Sequence, residues 1–153
     1  MITFPPQRPR FYYPESDGEP MAENTLQFEW IVTLQGNLDL LFRDVPDVFV
    51  AGDHLIYPID RNREIRQAPD VYVAFGRPKG HRGSYAVSEE GGIFPQVIFE
   101  VWSPGNRVQQ MSSKREFYEK YGAEEYYLIY PESPAFIEGW QRKDGKFVAI
   151  QEM

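Results

Sequence analysis

Pro95-Gln96-Val97-Ile98-Phe99-Glu100-Val101-Trp102-Ser103-Pro104 carries an apolar run bounded by two prolines. Its apolar residues fall on both faces of an extended chain, the pattern of a buried central strand rather than an edge strand. Glu100 interrupts the run. A carboxylate inside such a strand is costly to bury alone, so Glu100 must meet a cation, a metal ion or strong hydrogen-bond donors.

The flanking segments supply the rest of a domain. Upstream, Pro69-Asp70-Val71-Tyr72-Val73-Ala74-Phe75-Gly76 reads as a strand framed by proline and glycine, with Asp70 near its start. Before it, β-branched and aromatic residues from Asp47 to Pro58 predict a strand with a bulge or bend at Gly52. Leu26, Trp30, Ile31, Leu34, Leu38 and Leu41 recur at helical spacing, predicting a helix over about 24 to 42 capped by Asn24 or Thr25 and interrupted at Gly36-Asn37. Residues 1–23, with Pro5, Pro6, Pro9, Pro14 and Ser16-Asp17-Gly18-Glu19-Pro20, read as an extended arm rather than a packed element. Downstream, Met111, Phe117, Tyr118 and Tyr121 fit a short amphipathic helix from Gln109 to Tyr121, stopped by Gly122. A strand over Glu125–Pro131 follows, then a hairpin from Phe136 to Ile150 turning at Asp144-Gly145. The expected organisation is an α/β (α+β) fold, with the arm followed by a single domain over 24–153.

Composition bounds the function. A chain of 153 residues and 17.9 kDa is the size of one domain, and no run approaches the roughly 18 to 20 apolar residues of a membrane span, so a cytoplasmic protein without membrane contact is expected. The absence of cysteine excludes disulfides and thiolate chemistry, and only His54 and His81 remain for imidazole chemistry. A net charge of −7 opposes nonspecific binding to nucleic acid. The charge is uneven, however. Met1–Asp60 holds three Lys/Arg against ten Asp/Glu, Arg61–Arg82 six against two, and Gly83 onward seven against eleven.

Asp70 and Glu100 are the candidate reactive carboxylates. Side by side they would repel unless something positive lay between them, and a hard divalent cation bound through oxygen meets that demand. The plainer alternative is that each acid forms an ordinary ion pair with an arginine. Lys114, on the helix after the Glu100 strand, is the third candidate, able to orient an attacking water or offset transition-state charge; otherwise it is a solvated helix-surface lysine. The basic stretch Arg61, Arg63, Arg66, Arg77, Lys79, His81 and Arg82 flanks Asp70, and Arg66, Arg77, Lys79 and Arg82 are candidates for holding a phosphate backbone. Gly76 to Gly83 lacks the spacing of a phosphate-binding loop and reads as a mobile loop facing substrate. His54 reads as a hydrogen-bonded structural residue that Asp53 pairs with, and His81 as exposed. Ser84, Ser88 and Ser103 have no histidine at motif spacing. The tyrosines between 118 and 130 fit core packing and a dimer surface better than base stacking.

Taken together, Pro69-Asp70-Val71, Phe99-Glu100-Val101-Trp102-Ser103-Pro104, Lys114 with Phe117-Tyr118 and Tyr121-Gly122, and Glu125-Tyr126-Tyr127 with Tyr130-Pro131 resemble the Uma-two family of the PD-(D/E)XK nuclease superfamily. The stretch from Tyr13-Pro14 to Glu23-Asn24 resembles it too, so the likeness spans about residues 12 to 150. It implies a restriction-endonuclease-like mixed β-sheet flanked by helices. It also implies magnesium or manganese held by Asp70, Glu100 and the main-chain carbonyl of Val101, and hydrolysis of nucleic-acid phosphodiesters. Where the superfamily places a lysine two residues after the glutamate, this chain has Trp102, and the family's displaced helix lysine corresponds to Lys114. Gln110 stands where many members carry an acid. An acid from the first helix, Glu29 or Glu23, completes some superfamily sites. Members commonly form homodimers, and similar chains often continue past the final hairpin. The alternative is a noncatalytic protein that keeps the fold as a binding or scaffold module.

Overall fold

The structure is a computed structural model that describes residues 10–152. The part of the predicted arm before Arg10 lies outside the described residues. Helix α1 spans Thr25–Leu41, with the Asn24 side chain accepting from the Gln27 amide at its N-terminus. The interruption predicted at Gly36-Asn37 does not occur. Gly36 is exposed, and its weak helix propensity, a cost of about 1 kcal/mol, is outweighed by Ile31, Leu34 and Leu38 packing on the sheet.

Six strands form the main sheet: β1 (Val48–Gly52), β3 (Val71–Phe75), β5 (Val97–Val101), β6 (Glu125–Tyr130), β7 (Phe136–Lys143) and β8 (Lys146–Ala149), ordered β1-β3-β5-β6-β7-β8. Within this sheet only the β5–β6 pair is parallel, because helix α2 (Val108–Tyr121) carries the chain back between them. The sheet is therefore mixed, and β5 lies in its interior as its apolar run predicts. Gly122 closes α2 at φ 122°, a backbone setting that suits glycine. Asp144 and Gly145, both at positive φ, turn the β7–β8 hairpin.

The segment from Asp47 to Pro58 is not one strand. At Asp53, φ 45°, the chain turns out of the main sheet, and β2 (Ile56–Tyr57) pairs in parallel with β4 (Tyr85–Ala86) as a separate two-stranded piece. The described part of the arm has no regular element, and Glu15 to Pro20 are exposed as expected of an arm, but it is anchored to the domain at Tyr13, which the expectation did not include. Tyr13 is buried against Tyr57, its hydroxyl accepts from the Arg61 amide, and the Tyr57 hydroxyl donates to the Pro14 carbonyl.

Strand alternation divides the core into two layers. Tyr72, Ala74, Ile98, Tyr126 and Leu128 point to one face, where Met111 and Tyr118 of α2 cover them. Val71, Val101 and Ile129 point to the other, beneath Ile31 of α1. Consecutive residues of β5 therefore belong to different layers.

Candidate active site

In the antiparallel pairing of β3 with β5, Val71 lies opposite Phe99 and Tyr72 opposite Ile98. One further step of that register puts Asp70 opposite Glu100, on the face covered by α2. Cross-strand neighbours on one face lie within side-chain reach. The Asp70 carboxylate accepts the Val101 amide at 2.7 Å, and the Asp70 amide donates to Glu100 Oε2 at 3.4 Å. Two acids far apart in sequence thus share one corner of the sheet.

Glu100 is 1 % exposed. Lys114 and Tyr118, four residues apart, lie on one face of α2 and both reach it. The Tyr118 hydroxyl donates to Oε1 at 2.6 Å, and Lys114 Nζ stands 3.8 Å from Oε2. Burial, reinforced by the Glu100 charge, raises the Asp70 carboxyl well above its ordinary value. The Glu100 charge raises the Lys114 ammonium, so Lys114 stays protonated. One lysine thus faces two carboxylates. On the opposite layer, Gln27 Nε2 donates to the Val101 carbonyl at 2.8 Å, while its Oε1 accepts the Glu23 amide. Sequence reasoning missed both Tyr118 and Gln27. The Lys114/Tyr118 spacing was a signal for the first, whereas the second, a polar residue inside the apolar stripe of α1, reveals its role only through a contact far along the chain.

Gln27, Asp70, Glu100, Val101 and Lys114 line a cavity of about 350 Å³, while Tyr118 stands behind Glu100 and outside the lining. Glu23 lies on its wall, its carboxylate accepting from the Ser103 hydroxyl, whereas the exposed Glu29 is not part of the lining. Gln110 also lines it. Among the described residues no three histidine or acidic side chains converge on a point, so a cation here would combine side-chain and main-chain oxygens. The donor set does fit a hard cation: two mutually repelling carboxylates and a carbonyl, all oxygen.

Arg66, Arg77, Lys79 and Arg82 do not line this cavity. Arg77 and Arg82 donate to the buried Glu90 at 2.8 and 2.6 Å, and the Arg82 guanidinium lies over the Phe49 ring. Lys79 Nζ donates to the Val48 carbonyl. The Gly76–Gly83 loop, read as mobile and facing substrate, is instead tied to the protein by these contacts. Glu90, 7 % exposed, is the partner that the sequence did not disclose.

His54 is structural. A carbonyl only accepts, so His54 Nε2 donates to the Arg82 carbonyl at 2.8 Å and Nδ1 accepts the Tyr72 hydroxyl at 2.5 Å. Burial lowers its pKa, in keeping with a neutral ring. Asp53 does not pair with it and lines the cavity instead.

The sequence profile described as "Putative restriction endonuclease", Uma2, matches residues 3–152. No curated protein matches. Among solved structures, the chain is similar to a "putative nuclease belonging to DUF820" from Anabaena variabilis ATCC 29413. That likeness has a TM-score of 0.63 at 10 % identity and covers 85 % of this chain and 69 % of the other. At such low identity the shared property is the fold, a mixed sheet with flanking helices.

Proposed function

The chain belongs to the Uma2 family, and from that premise we propose that it is a metal-dependent nuclease whose site is the corner formed by Asp70, Glu100 and Lys114. The observation that carries this reading is the convergence of two shielded acids from neighbouring strands with a helix lysine, all facing one cavity. Asp70, Glu100 and the Val101 carbonyl are the residues to hold magnesium or manganese. When bound, such an ion polarises a phosphoryl oxygen and lowers the pKa of a water. Tyr118 fixes the orientation of Glu100 by donating to Oε1. Lys114, held protonated beside Glu100, places positive charge where a phosphoryl group gains negative charge during hydrolysis.

The test is cleavage of plasmid DNA, single-stranded DNA and RNA with magnesium or manganese, compared with chelator. Wild type is expected to cleave at least one of them, Asp70→Ala none, and Lys114→Met about 10²- to 10³-fold more slowly than wild type. Calorimetric titration with manganese should show binding by wild type and none by Asp70→Ala; a wild type that binds no cation overturns the proposal.

A second reading, a noncatalytic binding module, draws on the cavity wall itself. Asp17, Glu19, Glu23, Asp53, Asp70 and Glu100 face Lys114, the one basic residue of the lining among the described residues, a field that repels phosphate until a cation enters. Manganese binding without cleavage of any substrate favours this second reading. A homodimer belongs to either reading, supported by the exposed Phe28, Val32, Leu40 and Leu41 of α1. A monomer in sedimentation equilibrium at micromolar concentration would remove it. A cytoplasmic setting likewise accords with the cysteine-free composition.

A further inference from the structure

The basic stretch of the sequence divides in space. Its second half, Arg77 and Arg82, is neutralised by Glu90. Its first half is not. Among the described residues, Arg61, Arg63 and Arg66 have no carboxylate within ion-pair distance. Arg61 and Arg63 gather instead on an aromatic ring of the arm. The Arg61 and Arg63 guanidinium groups lie 5.0 and 4.6 Å from the centre of the Phe11 ring, and Arg66 sits by the Tyr57 hydroxyl. Phe11 packs edge-on against Tyr13 at 4.9 Å, and Tyr13 against Tyr57 at 4.8 Å. Next to them Tyr12 leaves 68 % of its surface in solvent. The two segments that build this patch run directly into the cavity wall, one at Asp17 and the other at Gln67.

We propose that this aromatic and arginine patch is a platform for single-stranded nucleic acid that feeds the strand to the cavity. The proposal rests on the nucleic-acid reading of the cavity and names the form of substrate. Free base faces stack on tyrosine and on guanidinium planes, and in a duplex those faces are already stacked on one another. Three cations suffice to track the backbone of a single strand locally, whereas a net charge of −7 opposes the broad phosphate contact that a duplex requires. The unpaired guanidinium groups beside a solvent-facing ring thus match a flexible polyanion carrying exposed aromatic faces.

The test is fluorescence anisotropy with the full chain in chelator, so that nothing is cleaved. The probes are a labelled oligothymidylate, a duplex of equal length, an abasic strand of equal length and a polyglutamate peptide. Oligothymidylate is expected to bind most tightly, with log K falling against log salt at a slope of about −2 for three cations. Tyr12→Ala should weaken it about 5- to 150-fold, with Tyr12→Phe close to wild type. Arg63→Ala should reduce the slope by about 0.7, and Arg63→Lys should keep it. Duplex, abasic strand or polyglutamate binding as tightly as oligothymidylate overturns the proposal, as does an unchanged affinity in Tyr12→Ala together with an unchanged slope in Arg63→Ala. Failure of the nuclease reading looks different: no cleavage with either metal while single-strand binding persists.

Discussion

Replacing Tyr118 with phenylalanine removes one hydroxyl and leaves the ring. That hydroxyl donates to Glu100 Oε1 at 2.6 Å in a setting without solvent exposure at Tyr118. A hydrogen bond to a charged acceptor contributes about 1.5 to 3 kcal/mol net. In Tyr118→Phe no water can take the donor's place, and the oxygen is left unsatisfied. For a domain of this length about 2 to 4 °C of Tm accompanies each kcal/mol, so the expected fall is about 3 to 12 °C. Tyr126 provides the control. Its ring stacks on Tyr118 at 5.6 Å, but its buried hydroxyl has no partner among the described residues. Tyr126→Phe therefore removes an unsatisfied group, whose burial costs about 1 to 3 kcal/mol, and should hold or raise Tm. Thermal unfolding followed by circular dichroism in chelator measures both. Equal losses in the two variants, or none in Tyr118→Phe, would show that the hydroxyl to Glu100 does not fix the corner.

Asp70→Asn should make the cation-free protein more stable at neutral pH. Because the folded Asp70 carboxyl is raised, wild type and variant match below about pH 3.9, where the unfolded acid is also protonated. Above that, wild type falls behind by about 1.4 kcal/mol per pH unit until the folded group ionises. Urea melts across pH check this, and a wild type that gains on the variant with rising pH contradicts it. Glu90→Leu leaves two guanidinium groups facing an apolar floor and should cost about 3 to 5 kcal/mol; a loss below about 1 kcal/mol in urea would mean that Arg77 and Arg82 find other partners.

What the sequence disclosed follows from where the physics is local. Strands β3, β5 and β6 stood out because prolines and glycines bound short β-branched or aromatic runs, and the hairpin because Asp144-Gly145 suits positive φ. Strand β2 was merged with β1 into one predicted strand, and the two-residue β4 left no trace, since two residues have no period. Asp70 and Glu100 drew attention because a carboxylate in an apolar strand demands a partner, and the β3–β5 register brings them together in space. The assignment of Arg77 and Arg82 to phosphate overlooked Glu90, which reads as a surface acid in Ser88-Glu89-Glu90 and is buried only because two arginines converge on it. Arm packing was illegible for the same reason: Tyr13 finds Tyr57 through a loop whose shape no local pattern sets.

Glu100 and Val101 are adjacent on β5, yet their polar groups answer to different layers, Glu100 to Lys114 and Tyr118 of α2 and the Val101 carbonyl to Gln27 of α1. This dipeptide is therefore a mechanical joint. A sub-ångström slide of either helix over the sheet would swing one oxygen relative to the other, so packing changes at Ile31 or Met111, residues with no polar role, would register as altered geometry at the oxygens proposed to hold a cation. Interiors packed this tightly transmit strain rather than absorb it.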